Sequence, residues 1–438
     1  MTLISFFKSF DLAKGVIYID VSPSEGLLYN LHTLEIFRIN KAGREILNGL
    51  LFKKELKKNK IPSIKKEKFL SILQSQQLIS PELNTQRIIK KVRTYPFLKN
   101  IFLETTRKCN LQCRHCYAKA NIRLERELTT KEIKNVINQA HYLGAYQFDI
   151  TGGEPLLRSD IFEILSYLQE KGFAVILFTN GTLINKEIAK RIASFENLEQ
   201  VRISLGGIRG EIHDAFTRVK GSFAKTFRGI YNLKARGVYV KINIVITRSN
   251  AQEIIPLITF LQKEGINSYA LDTICPVGLG KYVQTEKLDE FSFAKLAVKA
   301  LSISGKIITK KTTTIQKSKK GSLTPPCGIS NNFLFISSNG DVSLCPTLYY
   351  HHKRFLAGNV KKETLKEIWE QSSVFKRFRN IQCKEIGHCK YAFRCRGGCR
   401  SRAYTTYGGI NEPDYHFCAI MRAEKRYAKI RKIQKYRA

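Results

Sequence analysis

Between about residues 98 and 303, short apolar runs alternate with longer stretches whose apolar positions recur every three or four residues. The runs Ile101–Glu104, Gln147–Thr151, Ala174–Thr179, Gln200–Leu205, Tyr239–Thr247 and Ser268–Thr273 predict strands. The stretches Lys131–Leu143, Ile161–Lys171 and Phe223–Arg236 predict amphipathic helices between them. Repeated β/α units of this kind predict the α/β class, as a parallel sheet or a partial (β/α)6 TIM barrel over residues 98–303. In such barrels the chemistry sits at the C-terminal ends of the strands.

The flanks are patterned differently. Before about residue 90, Val16–Val21 and Leu27–Leu31 read as strands. Ala42, Ile46, Leu47, Leu50 and Leu51 then recur at helical spacing behind a candidate cap, Asn40. Phe69, Ile72 and Leu73 mark a second helix, which leads to Leu78-Ile79 ahead of Pro81. A β pair followed by short helices outlines a small winged-helix-like domain over residues 1–90. After residue 303 the Lys/Ser/Thr-rich stretch from Ser304 to Leu323 predicts a linker, and a cysteine-rich region completes residues 304–438.

A chain of 438 residues with 43% hydrophobic positions has room for two or three domains, each with a core. No stretch reaches the apolar length of a bilayer-spanning helix, so no membrane association is expected. The N-terminal apolar patch is broken by Lys8, Asp11 and Lys14 and has no small-residue cleavage site, which predicts a cytoplasmic protein. The formal charge is +38, with maxima at Lys53–Lys68, Lys306–Lys320 and the segment following Met421. Such runs suit phosphate neutralisation in a nucleic acid, a solvated lysine-rich surface, or acidic protein partners. The last two are preferred. The acidic partners envisaged are a peptide substrate and a reduced flavodoxin or ferredoxin, and nucleic acid is disfavoured.

Eleven cysteines change the picture most. Cys109, Cys113 and Cys116 lie in the string CNLQCRHCY, so three thiols surround one tight loop with no fourth nearby. Thiolates hold iron–sulfur clusters. Three thiolates on a cubane leave one iron open, the logic that separates catalytic from structural metal sites. This loop follows the first barrel strand. Thr151-Gly152-Gly153-Glu154-Pro155 ends the second, Thr179-Asn180-Gly181 the third, and Ser204-Leu205-Gly206-Gly207 the fourth. Cys275 follows the sixth. Glycine carries no Cβ and lets backbone approach a ligand closely, so the unusual residues converge on one rim.

The cysteine spacing and its surroundings resemble the radical S-adenosylmethionine (SAM) superfamily. The resemblance implies a 4Fe–4S cluster on Cys109, Cys113 and Cys116 whose open iron binds the amino and carboxylate groups of SAM. Gly152, Gly153 and Glu154 match the family's GGE motif, which contacts the SAM amino group. His115 matches the position whose backbone lies against adenine, and Tyr117 and Asn180 join it as cofactor neighbours. Ser204 and Arg218 match positions that hold the ribose and carboxylate end, and Asn243 is a further adenine neighbour or a core amide. The family carries Ser-Leu-Asp-Gly where this chain has Ser204-Leu205-Gly206-Gly207.

The C-terminal cysteines resemble the SPASM extension of these enzymes, which implies two auxiliary clusters. One takes Cys383, Cys389, Cys395 and Cys418. The other takes Cys327, Cys345 and Cys399, with its fourth ligand unassigned. Five residues separate Cys383 from Cys389 where the family has two, and no cysteine lies just upstream of Cys327. Structural zinc sites are the alternative reading of these knuckles. Cys275 is read as a catalytic hydrogen-atom donor, a thiol reaching a cluster, or a small buried hydrophobe. The N-terminal pattern resembles PqqD-like domains, which take up the leader of a ribosomally made precursor peptide by strand addition. DNA binding is the alternative use of a winged helix.

Together these resemblances imply a radical SAM/SPASM peptide maturase. It would cleave SAM reductively to a 5′-deoxyadenosyl radical, abstract a hydrogen atom from a precursor peptide and form a thioether, carbon–carbon cross-link or related modification. A formylglycine-generating, sulfatase-maturing enzyme is the first rival. A basic iron–sulfur or zinc protein that binds nucleic acid is the second.

Overall fold

The computed structural model describes residues 11–13, 16–22, 25–30, 36–52, 63–80, 88–91, 96–120, 126–303 and 325–435. The expected linker at 304–323 and its basic maximum lie outside the described residues, as does most of the basic run after Lys53. The strands in chain order are β1 (Asp11–Leu12), β2 (Val16–Ser22), β3 (Glu25–Asn30), β4 (Ile36–Asn40), β5 (Ile79–Ser80) and β6 (Ile88–Lys91). The central run is β7 (Asn100–Glu104), β8 (Gln147–Thr151), β9 (Ala174–Thr179), β10 (Leu198–Ser204), β11 (Val240–Ile246) and β12 (Tyr269–Thr273). Last come β13 (Phe333–Ile336), β14 (Asp341–Ser343) and β15 (Leu356–Asn359).

The expected α/β architecture is present, with β7 to β12 pairing in sequence, all parallel. Each connection carries a helix, among them Thr130–Leu143, Ile161–Glu170, Lys186–Ala193, Ser222–Lys234 and Ile254–Lys263. Alternation along the strands explains both faces. Ile101, Leu103, Phe148, Ile150, Val175, Leu177, Val201, Ile203, Ile242 and Ile244 are buried with the helices in one core. The intervening residues, Phe102, Glu104, Asp149, Thr151, Phe178, Arg202, Ser204 and Asn243, therefore line the concave side. Phe102 and Phe178 meet there at 5.1 Å between centroids.

The sheet is longer than periodicity predicts. Strand β13 adds parallel to β7 on the side opposite β8, and β14 and β15 continue antiparallel, giving nine strands. The cysteine-rich region is thus built onto the barrel sheet, and Phe333, Leu334, Ile336, Trp369 and Phe375 share the barrel core. The single tryptophan is wholly buried and its indole N–H donates to Pro96 O at 2.7 Å. Leu365 N donates to Gln139 Oε1 at 2.7 Å, which ties the helix Leu365–Gln371 to a barrel helix.

The N-terminal region has its own core of Leu12, Val16, Tyr18, Leu28, Ile39, Ile46, Leu47, Leu51, Leu70, Leu73, Leu78 and Ile79. Its sheet runs β4-β3-β2-β6, with β1 and β5 paired separately. The helices Lys41–Phe52 and Ser63–Ser75 cover it, and Asn40 accepts the Gly43 N–H at 3.0 Å as the expected cap. A Cβ on Gly43 would lie 2.9 Å from the Phe69 ring, so glycine lets the two helices close. The strand β6, parallel to β2, lies outside what the hydrophobic pattern predicted and carries this region to Lys91.

Candidate functional site

The cysteine loop emerges from β7 and is held from several sides by backbone. Gly153 N donates to Thr106 O at 2.7 Å and Glu154 N to Lys108 O at 2.8 Å. Gln112 N and Arg114 N donate to Thr217 O and Phe216 O at 3.0 and 3.1 Å, and Leu279 N donates to Cys116 O at 2.8 Å. Residues beyond β7, β8, β10 and β12 therefore fix the positions of Cys109, Cys113 and Cys116. Burial, reinforced by the neighbouring thiols, pushes Cys109 up to about 11 and Cys113 up to about 12. The three sulfurs share one electrostatic environment.

Gly152 and Gly153 allow a close approach, and the approach is to the loop itself. A Cβ on Gly152 would lie 2.6 Å from Thr106 O, and one on Gly153 would lie 2.3 Å from Lys108 O. Glu154 is fully buried. Its carboxylate accepts from Thr179 Oγ1 and Asn180 N, both at 2.7 Å, and from Leu156 N at 3.1 Å. Asn180 Nδ2 in turn donates to Asn110 Oδ1 at 2.8 Å, and Asn110 Nδ2 donates to Thr182 Oγ1 at 2.8 Å. The GGE segment thus braces the cysteine loop against the end of β9. Asn110 and Thr182 were missed in the sequence, although Asn110 lies inside the cysteine string.

His115 stacks on Phe216 at 4.1 Å between centroids. Burial holds its imidazole down to about 4, and Nδ1 is buried without a hydrogen-bond partner among the described residues. Phe216 also packs on Gly206, where an added Cβ would lie 3.2 Å from the ring. The glycine that replaces the family's aspartate thereby makes room for the Phe216–His115 stack. Ser204, the last residue of β10, and Asn243, in the middle of β11, are register partners; Ser204 is exposed, and Asn243 Oδ1 is buried with no hydrogen-bond partner among the described residues. Arg218 is exposed in the left-handed region at φ 58°, following the Phe216-Thr217 backbone that pairs with the cysteine loop. Tyr117 is edge-on to Tyr350 at 6.0 Å, and burial raises its phenol.

The seven C-terminal cysteines separate into two sets. Cys395 interacts electrostatically with Cys383 and Cys389, and Cys418 with Cys383 and Cys395, so these four are neighbours. A Cβ on Gly397 would touch Cys383 Cβ at 3.3 Å, which brings Cys383 in despite its wider spacing. Cys345 interacts electrostatically with Cys399 and Cys327, and Ser401 Oγ lies 3.1 Å from Cys399 Sγ. Cys395 and Cys399 are only four apart yet belong to different sets. Gly397 and Gly398, at φ 86° and 66°, turn the chain between them. Asp414 Oδ2 accepts the Cys399 N–H at 2.9 Å, and Arg402 is bidentate to Asp414 at 2.8 and 2.7 Å. Cys275 follows β12 beside Asp272 and senses Cys399.

Residues 103–261 match the family model of the Radical SAM superfamily, and residues 327–396 match SPASM, an iron–sulfur cluster-binding domain. The AdoMet-dependent heme synthase of Methanosarcina barkeri is 30% identical over 338 residues, which are 71% of this chain and 93% of that protein. This chain belongs to the radical SAM superfamily. The mycofactocin maturase MftC of Mycobacterium tuberculosis is also 30% identical to this radical SAM protein, over 349 residues covering 76% of the chain and 86% of the relative. Streptococcus suis SuiB, solved bound to precursor peptide SuiA, shares its fold with a TM-score of 0.66 at 17% identity, covering 92% of this chain and 98% of SuiB.

A radical SAM protein is an enzyme that uses a 4Fe–4S cluster and SAM, and its SPASM domain implies auxiliary clusters. The residues fit these groups. Soft thiolate donors suit iron–sulfur chemistry, and iron's positive charge would offset the cost of burying them as thiolates. The unpartnered His115 Nδ1 and Asn243 Oδ1 are polar atoms left for a ligand. Among the described residues, no helix is long and apolar enough to cross a membrane.

Sequence reasoning missed a second polar group on the concave side. Glu104, at the end of β7, is buried, and Ser338 N and Oγ donate to it at 3.1 and 2.8 Å. The Tyr350 hydroxyl donates to its other oxygen, and the Arg107 guanidinium lies 5.1 Å from the Tyr350 ring centroid. Burial raises the Glu104 carboxyl against the opposing pull of these donors. Its partners lie more than two hundred positions away in sequence, and no local pattern announces them.

Proposed function

We propose that this radical SAM enzyme modifies a ribosomally made precursor peptide, forming a thioether, a carbon–carbon cross-link or a related modification. The carrying observation is the N-terminal sheet with its own core, in which β4 has no neighbouring strand on its outer side among the described residues. The opposite edge, β6, runs beside the helix Thr130–Leu143. An edge with available backbone groups accepts an extended segment as a new strand. Residues 1–90 are accordingly read as a PqqD-like leader-recognition domain, 98–303 as the catalytic barrel and 304–438 as linker and SPASM domain. In support, MftC is a maturase and SuiB was solved with its precursor peptide. The SuiB match leaves too little of this chain uncovered to omit the whole N-terminal region.

In this reading Cys109, Cys113 and Cys116 hold the SAM-binding cluster. Cys383, Cys389, Cys395 and Cys418 hold one auxiliary cluster, and Cys327, Cys345 and Cys399 hold the other. The bound cluster and SAM together supply a 5′-deoxyadenosyl radical for hydrogen-atom abstraction. The chain supplies position and exclusion of water. Gly152, Gly153 and Glu154 lock the cysteine loop to the end of β9, and Asn180 extends that brace. His115, Tyr117, Ser204, Arg218 and Asn243 surround the SAM site. The charge of +38 favours encounter with an acidic peptide and with reduced flavodoxin or ferredoxin as electron donor.

The test uses anaerobically reconstituted protein and a synthetic peptide encoded by a short reading frame beside its gene. Amide hydrogen exchange is followed at β4, and the peptide mass is followed with SAM and reductant. Protection of β4 amides by the leader, with a mass change in the peptide, is the expected result. Heme formation from an iron porphyrin without peptide modification would assign the chain to the chemistry named for its heme-synthase relatives. Conversion of a sulfatase-type Cys or Ser without β4 protection would favour the formylglycine reading.

A further inference from the structure

Ten of the eleven cysteines fall into sets of three, four and three, and Cys275 remains. The set of Cys327, Cys345 and Cys399 is the C-terminal set one thiol short of four. No cysteine lies between Cys275 and Cys327, so the chain just upstream of Cys327 supplies no further thiol. Tertiary structure instead ties the end of β12, just before Cys275, to this set. Arg402 Nη1 donates to Asp272 Oδ1 at 2.7 Å while the other side of its guanidinium is bidentate to Asp414. Asp414 in turn holds the Cys399 N–H, and Arg402 N donates to Cys399 Sγ at 3.4 Å. One buried arginine thereby ties the end of β12, three residues before Cys275, to the turn that presents Cys399.

The backbone at Cys275 is fixed as firmly. Val277 N donates to Cys275 O at 2.8 Å, and a Cβ on Gly280 would lie 2.2 Å from that same oxygen. An electrostatic coupling between Cys399 and Cys275 accompanies this geometry. Cys399 Sγ pairs with the Ser401 hydroxyl at 3.1 Å, and Cys345 interacts electrostatically with both Cys399 and Cys327.

We propose that Cys275 is the fourth thiolate of the auxiliary cluster held by Cys327, Cys345 and Cys399, a ligand supplied by the barrel and not by the SPASM domain. The inference rests on the reading that those three cysteines hold an iron–sulfur cluster. The step is ligation alone: the Cys275 thiol releases its proton to solvent, its sulfur bonds iron, and no electron changes owner. It gives Cys275 a structural and redox-tuning role in place of hydrogen-atom donation. It also closes a cluster that would otherwise have an open iron for a substrate sulfur.

The test is made in the full chain carrying Cys109→Ala, Cys113→Ala and Cys116→Ala, so that only auxiliary iron is read. Iron and sulfide are counted after anaerobic reconstitution, and Mössbauer and electron paramagnetic resonance spectra are recorded. Two cubanes correspond to about eight irons per chain. Adding Cys275→Ala is expected to remove about half of that iron or to give one iron a distinct Mössbauer signal. Cys275→Ser, the conservative variant, is expected to keep the iron with shifted spectra. Unchanged iron and spectra in both variants would overturn the inference. Cys345→Ala separates the two levels: if it loses iron while both Cys275 variants do not, only the inference fails. If Cys345→Ala also changes nothing, the auxiliary-cluster reading beneath it fails.

Discussion

Gly153→Ala tests how the SAM-side loop is held. Its Cβ would stand 2.3 Å from Lys108 O, 2.7 Å from Lys108 C and 2.8 Å from Arg107 O. All three are backbone atoms, so no side chain can swing away. The loop and the GGE segment must separate, and two short hydrogen bonds stand in the way, Gly153 N to Thr106 O and Glu154 N to Lys108 O. Each such bond contributes about 1 kcal/mol net, and overpacking costs about 1–3 kcal/mol. The closed loop is therefore expected to lose about 3–5 kcal/mol, roughly two to four decades in its population. An alanine where the backbone tolerates it stabilises by about 0.4–1 kcal/mol through the unfolded state, so the sign itself is diagnostic. Gly387→Ala is the control, because a Cβ there meets nothing within 4 Å. Iron content, the resonance signal of the reduced cluster and 5′-deoxyadenosine formation are measured on the reconstituted proteins. Gly153→Ala with wild-type iron, signal and rate would refute the argument that backbone contact with the GGE segment shapes the loop.

Arg402→Met breaks the bidentate bond to the buried Asp414 and the link to Asp272. Leaving one partner of a buried pair unmatched costs about 3–5 kcal/mol. The expected outcome is a lower denaturant midpoint with loss of auxiliary iron, and an unchanged midpoint would remove Arg402 as the tie between barrel and C-terminal region. Glu199 lies at the N-terminal end of β10, where burial pushes its carboxyl up to about 8 against the pull of Arg202. The folded state then keeps a proton that the unfolded chain releases near its ordinary value of 4.5. Stability is highest below that value, falls as pH rises to about 8, and is level beyond it. Glu199→Gln is expected to flatten that slope and to raise stability at pH 9 by a few kcal/mol at most, on the order of one unit per ~1.4 kcal/mol. Denaturant unfolding at pH 5 and pH 9 measures it, and equal slopes in the two proteins would sink the assignment.

Much of the catalytic scaffold was legible from the chain alone. Each of the six expected strands coincides with one of β7 to β12 to within two residues at either end, because alternation and helical spacing are local consequences of burial on two faces. The cysteine string was legible for a similar reason, since three ligands on one loop need no other part of the molecule to be recognised. Placement of Thr151-Gly152-Gly153-Glu154 and Thr179-Asn180 at strand ends followed from the same periodicity. The inward commitment of the Glu154 carboxylate did not, for it depends on how far β9 reaches past β8.

What the sequence determined by itself is the order of β/α units, the three-thiol loop and the presence of a second cysteine-rich region. These are encoded in spacing over a few residues, where geometry is set by the backbone's own period. Only the tertiary structure decided how the remaining parts meet. It sends Cys395 and Cys399 to different sets across two left-handed glycines, adds β13 beside β7, and joins Glu104 to Tyr350 and Asp272 to Arg402. Partners so far apart in the chain are chosen by strand order and by the packing of one shared core. Neither leaves a local pattern to read.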